Sequence, residues 1–520
     1  MRLPDTRSPN VLLFLMDQIQ SFSVGCNGNG IVRTPNIDRL AEQGCTFTRA
    51  YCSNPVCQPS RATIATGLSP SQHGCLTNGN ILSERIPTAA EIFANHGYRT
   101  HCAGKIHLQP FMARYDPKAH QGRRTFSWED SERWRSGEIA GLPAMYYGFQ
   151  TSDYVGGHVH YCFGDYDNWL RNSHPGMREK YLRANAYEKP ASLEEYWRID
   201  IPPELHYNNW IADQCIGFID SLSTDERFFL VCSFPDPHHP FVSCKPYSET
   251  YDPQVVDLSP TWEISRESIP CLQKVRRHYR GTVESEEVLR QIVAQYYGMI
   301  THIDHNVGRV MSHLERRGLD RETLVVVTAD HGEYLGSHGL LYKNPWQWEE
   351  LLRVPLVWRV PGAWAPGRRA DAVVSLLDLV PTLLDYGGIP QTELQWRNGE
   401  QLHRMSLPGQ SLRPLLSEGS ALPHNRAFVE YDEDWFMGYD GEKSELPFYR
   451  VRSVVAERYK AVVYGNNDYG ILMDLATDPH ETNNLWNDPD HRETRSRLLE
   501  ELLLYMIRTD RMDSPRISSA

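Results

Sequence analysis

Four side chains at the ends of two apolar runs could hold a cation. Asp17 and Gln18 close the run Val11-Leu12-Leu13-Phe14-Leu15-Met16, and Asp330 and His331 close the β-branched run that begins at Thr323. In a parallel sheet, ligands bind at the carboxyl ends of the strands. Two strand-end aspartates 313 positions apart therefore face one cavity if their strands are neighbours. Their carboxylates, the Gln18 amide oxygen and the His331 imidazole would then surround one divalent ion. Oxygen donors favour calcium, the imidazole admits manganese, and magnesium is a further candidate. The plainer alternative is that both aspartates only cap the helices that follow. Lys105 and His107 form a second pair. Two apart on an extended segment, their side chains point the same way, the alternative being a surface lysine beside a packed histidine.

The elements that must position these residues alternate. A strand over 10–16 precedes a helix that Thr34 caps, Pro35 opens and Gly44 closes. A helix over 89–96 ends at Gly97 and leads into an extended segment over 98–108. Strand alternating with helix predicts βαβ units and a mostly parallel sheet. Residues 126–210 differ: 17 of these 85 are aromatic, with little periodicity, and they read as an insertion of loops and short helices. Regular pattern returns with a strand over 227–233, an amphipathic stretch over 288–317 and a strand from Thr323. A helix over 373–386 follows, interrupted by Pro381. Beyond about 427, short alternating strands over 449–454, 459–463 and 470–474 precede a helix over 493–507. The expected fold is α/β: a large mixed, mostly parallel sheet flanked by helices over 1–425, then a smaller antiparallel sheet with a helix over 426–520.

Composition narrows the function classes. The chain has 520 residues, 23% charged and 40% hydrophobic, with a net charge of −13. That is a globular composition, and its negative balance argues against nucleic acid or an anionic membrane as the main partner. No stretch reaches the roughly 18 unbroken apolar residues of a membrane helix. The run ending at Met16 is too short, and too soon closed by Asp17, for a secretory signal. Eleven scattered cysteines, Cys271 among them, do not read as a disulfide framework. A cytoplasmic location is expected, and a homo-oligomer is left open.

Two motifs connect these residues to a reaction. Cys57-Gln58-Pro59-Ser60-Arg61 with a following Thr66-Gly67 resembles the sulfatase signature, with Ala65 where Leu is usual. Gly97-Tyr98-Arg99-Thr100 with Gly104-Lys105-Ile106-His107-Leu108 resembles the second signature, with Ile106 in place of Trp. The likeness continues through Asp330-His331-Gly332-Glu333 to the segment from Asp474 to Leu485. The chain thus resembles the type I, formylglycine-dependent sulfatases of the alkaline phosphatase superfamily.

The resemblance implies the following. A formylglycine-generating enzyme oxidises Cys57 to an aldehyde whose hydrate attacks sulfur while residue 57 joins the metal ligands. Arg61 holds the diol; Lys105 and His107 bind the sulfate and help deprotonate the hydrate. His238, in Pro237-His238-His239-Pro240, protonates the leaving oxygen, with His239 as an ordinary neighbour. Lys343, 13 residues beyond Asp330, contacts the sulfate and the bridging oxygen, and Asn78 donates to a sulfate oxygen. Where relatives often carry Asp-Asp and Asn, this chain has Asp17-Gln18 and His331, a pattern shared with phosphonate and phosphodiester hydrolases. The expected activity is hydrolysis of a small sulfate monoester, with those hydrolases as the alternative. A non-catalytic binder of sulfated ligands is the outcome if Cys57 stays unconverted. Trp128, Trp134, Tyr146, Tyr147, Tyr154, Trp169, Tyr196 and Trp197 either pack against a sugar or aryl group or form the insertion's own core.

Overall fold

The computed structural model describes residues 8–112, 126–190, 195–263, 285–343, 345–362, 366–391, 395–398, 401–404, 406–433, 449–465 and 470–510. Ten strands form one sheet: β1 (Asn10–Met16), β2 (Cys45–Tyr51), β3 (Arg99–Gly104), β4 (Thr151–Gly156), β5 (Phe163–Gly164), β6 (Phe228–Phe234), β7 (Thr323–Ala329), β8 (Arg353–Val354), β9 (Leu356–Arg359) and β10 (Arg368–Ser375). Their order is β8–β2–β9–β7–β1–β6–β3–β4–β5, with β10 also paired to β2. β1 lies parallel between β6 and β7, and β3 runs parallel to β6 and β4. Every residue of β1 and β7 is buried, as a central parallel strand covered on both faces requires. Met16 faces Ala329 in the register, so Asp17 and Asp330 leave the sheet side by side.

Helices cover the sheet: α1 (Pro35–Gln43), α2 (Cys57–Thr66), α3 (Tyr207–Asp220), the 31-residue α4 (Glu286–Arg316) and α5 (Leu379–Gly387). α3 packs on β3 and β6, and α4 packs on α3 and α1. The expected cap of α1 works differently. Thr34 accepts from Gly25 N at 2.8 Å, and the Asp304 carboxylate of α4 takes the Asn36 and Ile37 amides at 3.0 and 2.8 Å. The helix expected over 373–386 is also shorter. Val373, Val374 and Ser375 pair with β2, where β-branched residues suit the pleat, and a capping box of Ser375 with Asp378 turns the chain toward α5. Nor is the insertion only loops and short helices, since it supplies β4, the edge strand β5 and the start of α3.

Four antiparallel strands make the second sheet: β11 (Ala427–Glu433), β12 (Tyr449–Val455), β13 (Tyr459–Tyr464) and β14 (Gly470–Asp474). Their alternation splits cleanly. Tyr431, Val451, Val462, Ile471 and Met473 face Trp346 and Trp348, while Val454, Ala461 and Leu472 face Leu498, Leu502 and Tyr505 of α6 (Arg492–Thr509). Among the described residues no helix is long and apolar enough to cross a membrane, and none of the ten described cysteines is in a disulfide. Cys271 lies outside the described residues.

Candidate active site

The site is built on the carboxyl edge of β1, β3, β6 and β7. Chain direction in the parallel ladders continues into it: Asp330 N donates to Met16 O at 3.1 Å, Asp17 N to Asp236 O at 3.2 Å, and Lys105 N to Ser233 O at 3.0 Å. Gly104 lets β3 end there. Its φ is +107°, and a Cβ would stand 1.8 Å from the Ser233 carbonyl oxygen, so no other residue fits without moving β6.

α2 begins at Cys57 and aims its N-terminus at this edge. Asn78 caps it, its Oδ1 accepting from Gln58 N at 3.1 Å, so Asn78 stands at the helix end beside Cys57. The Cys57 sulfur lies 3.5 Å from Asp17 Oδ1, 3.2 Å from His331 Nε2 and 2.8 Å from Lys343 Nζ. Burial, with Asp17 adding to it, pushes the thiol pKa up, so the cysteine as encoded is no thiolate nucleophile. Arg61, one turn on, is buried and bridges the two aspartates. Its Nε donates to Asp330 Oδ2 at 2.8 Å and Nη2 to Asp17 Oδ2 at 3.2 Å, while Nη1 reaches Ser233 Oγ and Lys105 O. Lys105 donates to Asp17 Oδ2. Burial alone would raise the Asp17 carboxyl, but the Lys105 ammonium, then Arg61, hold it well below the usual carboxylate range.

One atom from each of Asp17, Cys57, Asp330 and His331 lies within 4.8 Å of all the others, and all four residues are buried. The Lys343 ammonium meets Gln18 Oε1 at 2.9 Å, Cys57 Sγ at 2.8 Å and His331 Nε2 at 3.1 Å, a cation facing three of the five donors expected for a metal. Burial, then Lys343, lowers the His331 pKa to about 4, which keeps a neutral, metal-competent imidazole. The donors fit a divalent ion. Gln18 is held so that its oxygen points inward: its Nε2 donates to Glu333 and lies 3.1 Å from His239 Nδ1.

The remaining expected residues arrange themselves around this centre. His238 Nε2 lies 2.9 Å from Lys343 Nζ, and its Nδ1 donates to the His239 carbonyl. Burial, reinforced by His158 and Lys343, keeps His238 neutral, so Lys343 holds the nearest proton on that side. His107 is not on a continued strand, because β3 stops at Gly104 and His107 has φ +58°. Lys105 and His107 nonetheless converge on one ring: His107 stacks on Phe111 at 3.8 Å, and the Lys105 ammonium lies 5.5 Å from its centroid.

Several site residues escaped the sequence reading. Glu129, wholly buried in the insertion, accepts from the backbone amides of His107, Leu108 and Gln109 and from the hydroxyls of Tyr146 and Tyr154. One carboxylate thus fixes the loop after β3, and nothing in Trp128-Glu129-Asp130 announces it. His239 is more than a bystander through its contact with Gln18. His158, also from the insertion, reaches Lys105, and the preceding Gly156-Gly157 pair is the one signal for it. The insertion's aromatics are chiefly its own core. Trp134, Tyr146, Tyr147, Tyr154, Tyr196 and Trp197 are all buried, with ring contacts such as Trp134–Tyr154 at 5.5 Å. A sugar platform built from those six is therefore excluded; Trp128 and Trp169 are partly buried against the same core.

Known proteins give the same picture. The family model described as Sulfatase matches residues 9–389, and the one described as N-sulphoglucosamine sulphohydrolase, C-terminal, matches residues 336–507. An arylsulfatase of Clostridium perfringens is 28% identical over 511 residues, 95% of this chain and 94% of its own. An N-acetylglucosamine-6-O-sulfatase of Bacteroides thetaiotaomicron is 23% identical over 96% of this chain and 86% of its own. Among solved structures, the phosphonate monoester hydrolase of Agrobacterium radiobacter superposes with a TM-score of 0.77 at 26% identity, covering 96% of both chains. A strand-end pair of buried aspartates, a signature cysteine opening a helix between them and a family match across most of the chain lead to one assignment: this chain belongs to the sulfatase family, sulfuric ester hydrolases of the alkaline phosphatase superfamily.

Proposed function

We propose that the chain hydrolyses a small sulfate monoester at Cys57 after that residue has been oxidised to formylglycine. The observation that carries this is the charge at the site. Arg61, Lys105 and Lys343 contact Asp17, Asp330 and Cys57, so three cations face two carboxylates before any metal is added. Burial would favour discharging Arg61, yet Asp330 and Asp17 hold its pKa up. Such a surplus suits an anionic ester.

Asp17, Gln18, Asp330, His331 and residue 57 would hold a divalent cation, calcium by the oxygen count, whose charge would let a hydroxyl ionise near neutral pH. The hydrate of the aldehyde would offer one hydroxyl for attack on sulfur and a second whose deprotonation expels sulfate and restores the aldehyde. Around that centre the chain's own groups divide the work. Arg61 keeps the two carboxylates apart and compensates them. Lys105, pinned on Asp17, presents its ammonium to the sulfate oxygens, with His107 behind it. Asn78, at the end of α2, adds a donor on the same side. On the other side Lys343 carries the proton and His238 Nε2 accepts from it, so the pair can pass a proton to the leaving oxygen.

A phosphonate monoester or phosphodiester is the second reading, favoured by the donor set Asp17-Gln18 with Asp330-His331 and by the likeness to the phosphonate hydrolase. Lys105 and His107 favour the sulfate. Two measurements test the proposal. Intact mass of the peptide containing residue 57 must show the aldehyde in place of the thiol; a pure thiol would leave a binder of sulfated ligands. On matched aryl leaving groups, kcat/KM for the sulfate must exceed that for the phosphonate monoester and the phosphodiester, since this ratio reports differential transition-state binding. The reverse order would move the chain to the second reading.

A further inference from the structure

His158 stands where the two sides of the site meet. Its Nδ1 lies 3.3 Å from the Pro235 carbonyl oxygen and its Nε2 lies 3.2 Å from Lys105 Nζ. A carbonyl can only accept and an ammonium can only donate, so Nδ1 carries the hydrogen and Nε2 the lone pair. Lys105 therefore spends one N–H on Asp17 and one on His158, and the direction of its third is fixed. The other face of the same imidazole stacks on His238, with ring centroids 3.6 Å apart and planes 8° from parallel. One side chain touches both the residue assigned to the sulfate and the residue assigned to the leaving group.

The backbone that presents it is held by a position only glycine fits on one side and by a strained residue on the other. Gly157 has φ +72°, and a Cβ there would meet the Tyr161 carbonyl oxygen at 2.4 Å. Val159, a β-branched residue, has φ +47°, a conformation such residues rarely take. Backbone strain of this kind costs about 1–3 kcal/mol per residue and persists where the surroundings over-determine it, often at functional sites. The insertion thus holds His158 in one place rather than letting it relax into the core around it.

We infer that His158 is a positioning residue of this enzyme, which aims Lys105 through its Nε2 and sets the plane of His238 by stacking. The inference rests on the roles proposed above for Lys105 and His238. Two substitutions separate its halves. His158→Phe keeps a flat ring against His238 but removes the acceptor; His158→Gln keeps an acceptor but removes the ring. Binding of inorganic sulfate, measured by calorimetry on the metal-loaded enzyme, should weaken about tenfold in His158→Phe, roughly the loss of one charge-assisted hydrogen bond, and stay within about twofold in His158→Gln. The rate on a leaving-group series should show the opposite split. His158→Gln should lose more on poor leaving groups than on nitrophenolates, and His158→Phe should keep the wild-type dependence. Both variants should unfold within a few degrees of wild type.

Unchanged sulfate binding in His158→Phe together with unchanged leaving-group dependence in His158→Gln would overturn the assignment. So would parallel losses in both readouts accompanied by a lower Tm, the signature of a merely structural histidine. If wild type prefers phosphonates, the same two comparisons run with inorganic phosphate and aryl phosphonates. The sulfate reading would then fail while the His158 assignment is still decided.

Discussion

Two buried charge clusters in this molecule look alike and behave differently. The first is the site around Asp17, Asp330, Arg61, Lys105 and Lys343. The second lies under the C-terminal sheet, where the buried Lys460 ammonium of β13 contacts Glu349 Oε1 at 3.0 Å and Glu481 Oε1 at 2.5 Å. Glu349 also accepts from Tyr51 at 2.8 Å, lies 3.6 Å from Arg353, and donates its amide to Glu481 at 2.7 Å. The second cluster closes on itself and can adjust by a proton. Burial, against the pull of Lys460, raises Glu481 to about 8, while Lys460 and Arg353 overcome burial to lower Glu349. In the site the paired charges are fixed instead, because Asp17 is held ionised while Arg61 is held protonated. A cluster that satisfies itself is structural. One whose charges are locked with a cation in excess is built to take an anion.

The comparison breaks first at Cys57. Cys57→Ala should lower kcat by about 10^4-fold or more, the scale seen when a covalent nucleophile is removed, with an unchanged urea midpoint. A variant that keeps near-wild-type turnover would remove the covalent mechanism. Metal removal comes next. Thorough chelation should abolish activity, and calcium or manganese should restore it in step with metal content; full activity in demonstrably metal-free protein would sink the assignment of Asp17, Gln18, Asp330 and His331.

Disruption of the structural cluster should do the converse. Lys460→Met leaves the buried Glu349 carboxylate and the Glu481 carboxyl without their ammonium, a change worth about 3–5 kcal/mol of stability, while kcat/KM of the folded protein stays within about twofold. Loss of turnover without loss of stability would erase the distinction between the clusters. The smallest effect is a pH slope. Glu481 in the folded chain keeps its proton up to about 8, above its ordinary 4.5. Its contribution is therefore full below the unfolded value and is lost as pH rises through the folded one. Stability should decline between pH 4.5 and 8, and Glu481→Gln should flatten that decline; an identical slope in the variant would assign it to other groups.

Much of the site was legible because its residues sit at element boundaries. Asp17 and Asp330 follow apolar runs that read as buried strands, and Cys57 to Arg61 opens a helix, so type and place both follow from local pattern. The helix expected at 373–386 failed for the opposite reason: an apolar run in Val373-Val374 reads equally as strand or helix until a partner strand is known. The insertion was legible only as a choice. Its aromatics read equally as a ligand surface or as a core, and burial decided for the core in most of them.

By itself the sequence determined the strand-end acids and the mostly parallel order of the strands, because these depend on residue type and short spacing, and its resemblance to the sulfatase signatures singled out the cysteine at 57 and the cations at 61, 105 and 343. Only the tertiary structure decided that Glu129 would hold three consecutive amides, that His239 and Glu333 would orient Gln18, and that His158 would touch both Lys105 and His238. The physical reason is range. Capping, strand pattern and charge act along a few residues of chain, whereas a hydrogen bond across 25 or 53 positions exists only after the packing has brought the two groups together and excluded water from them.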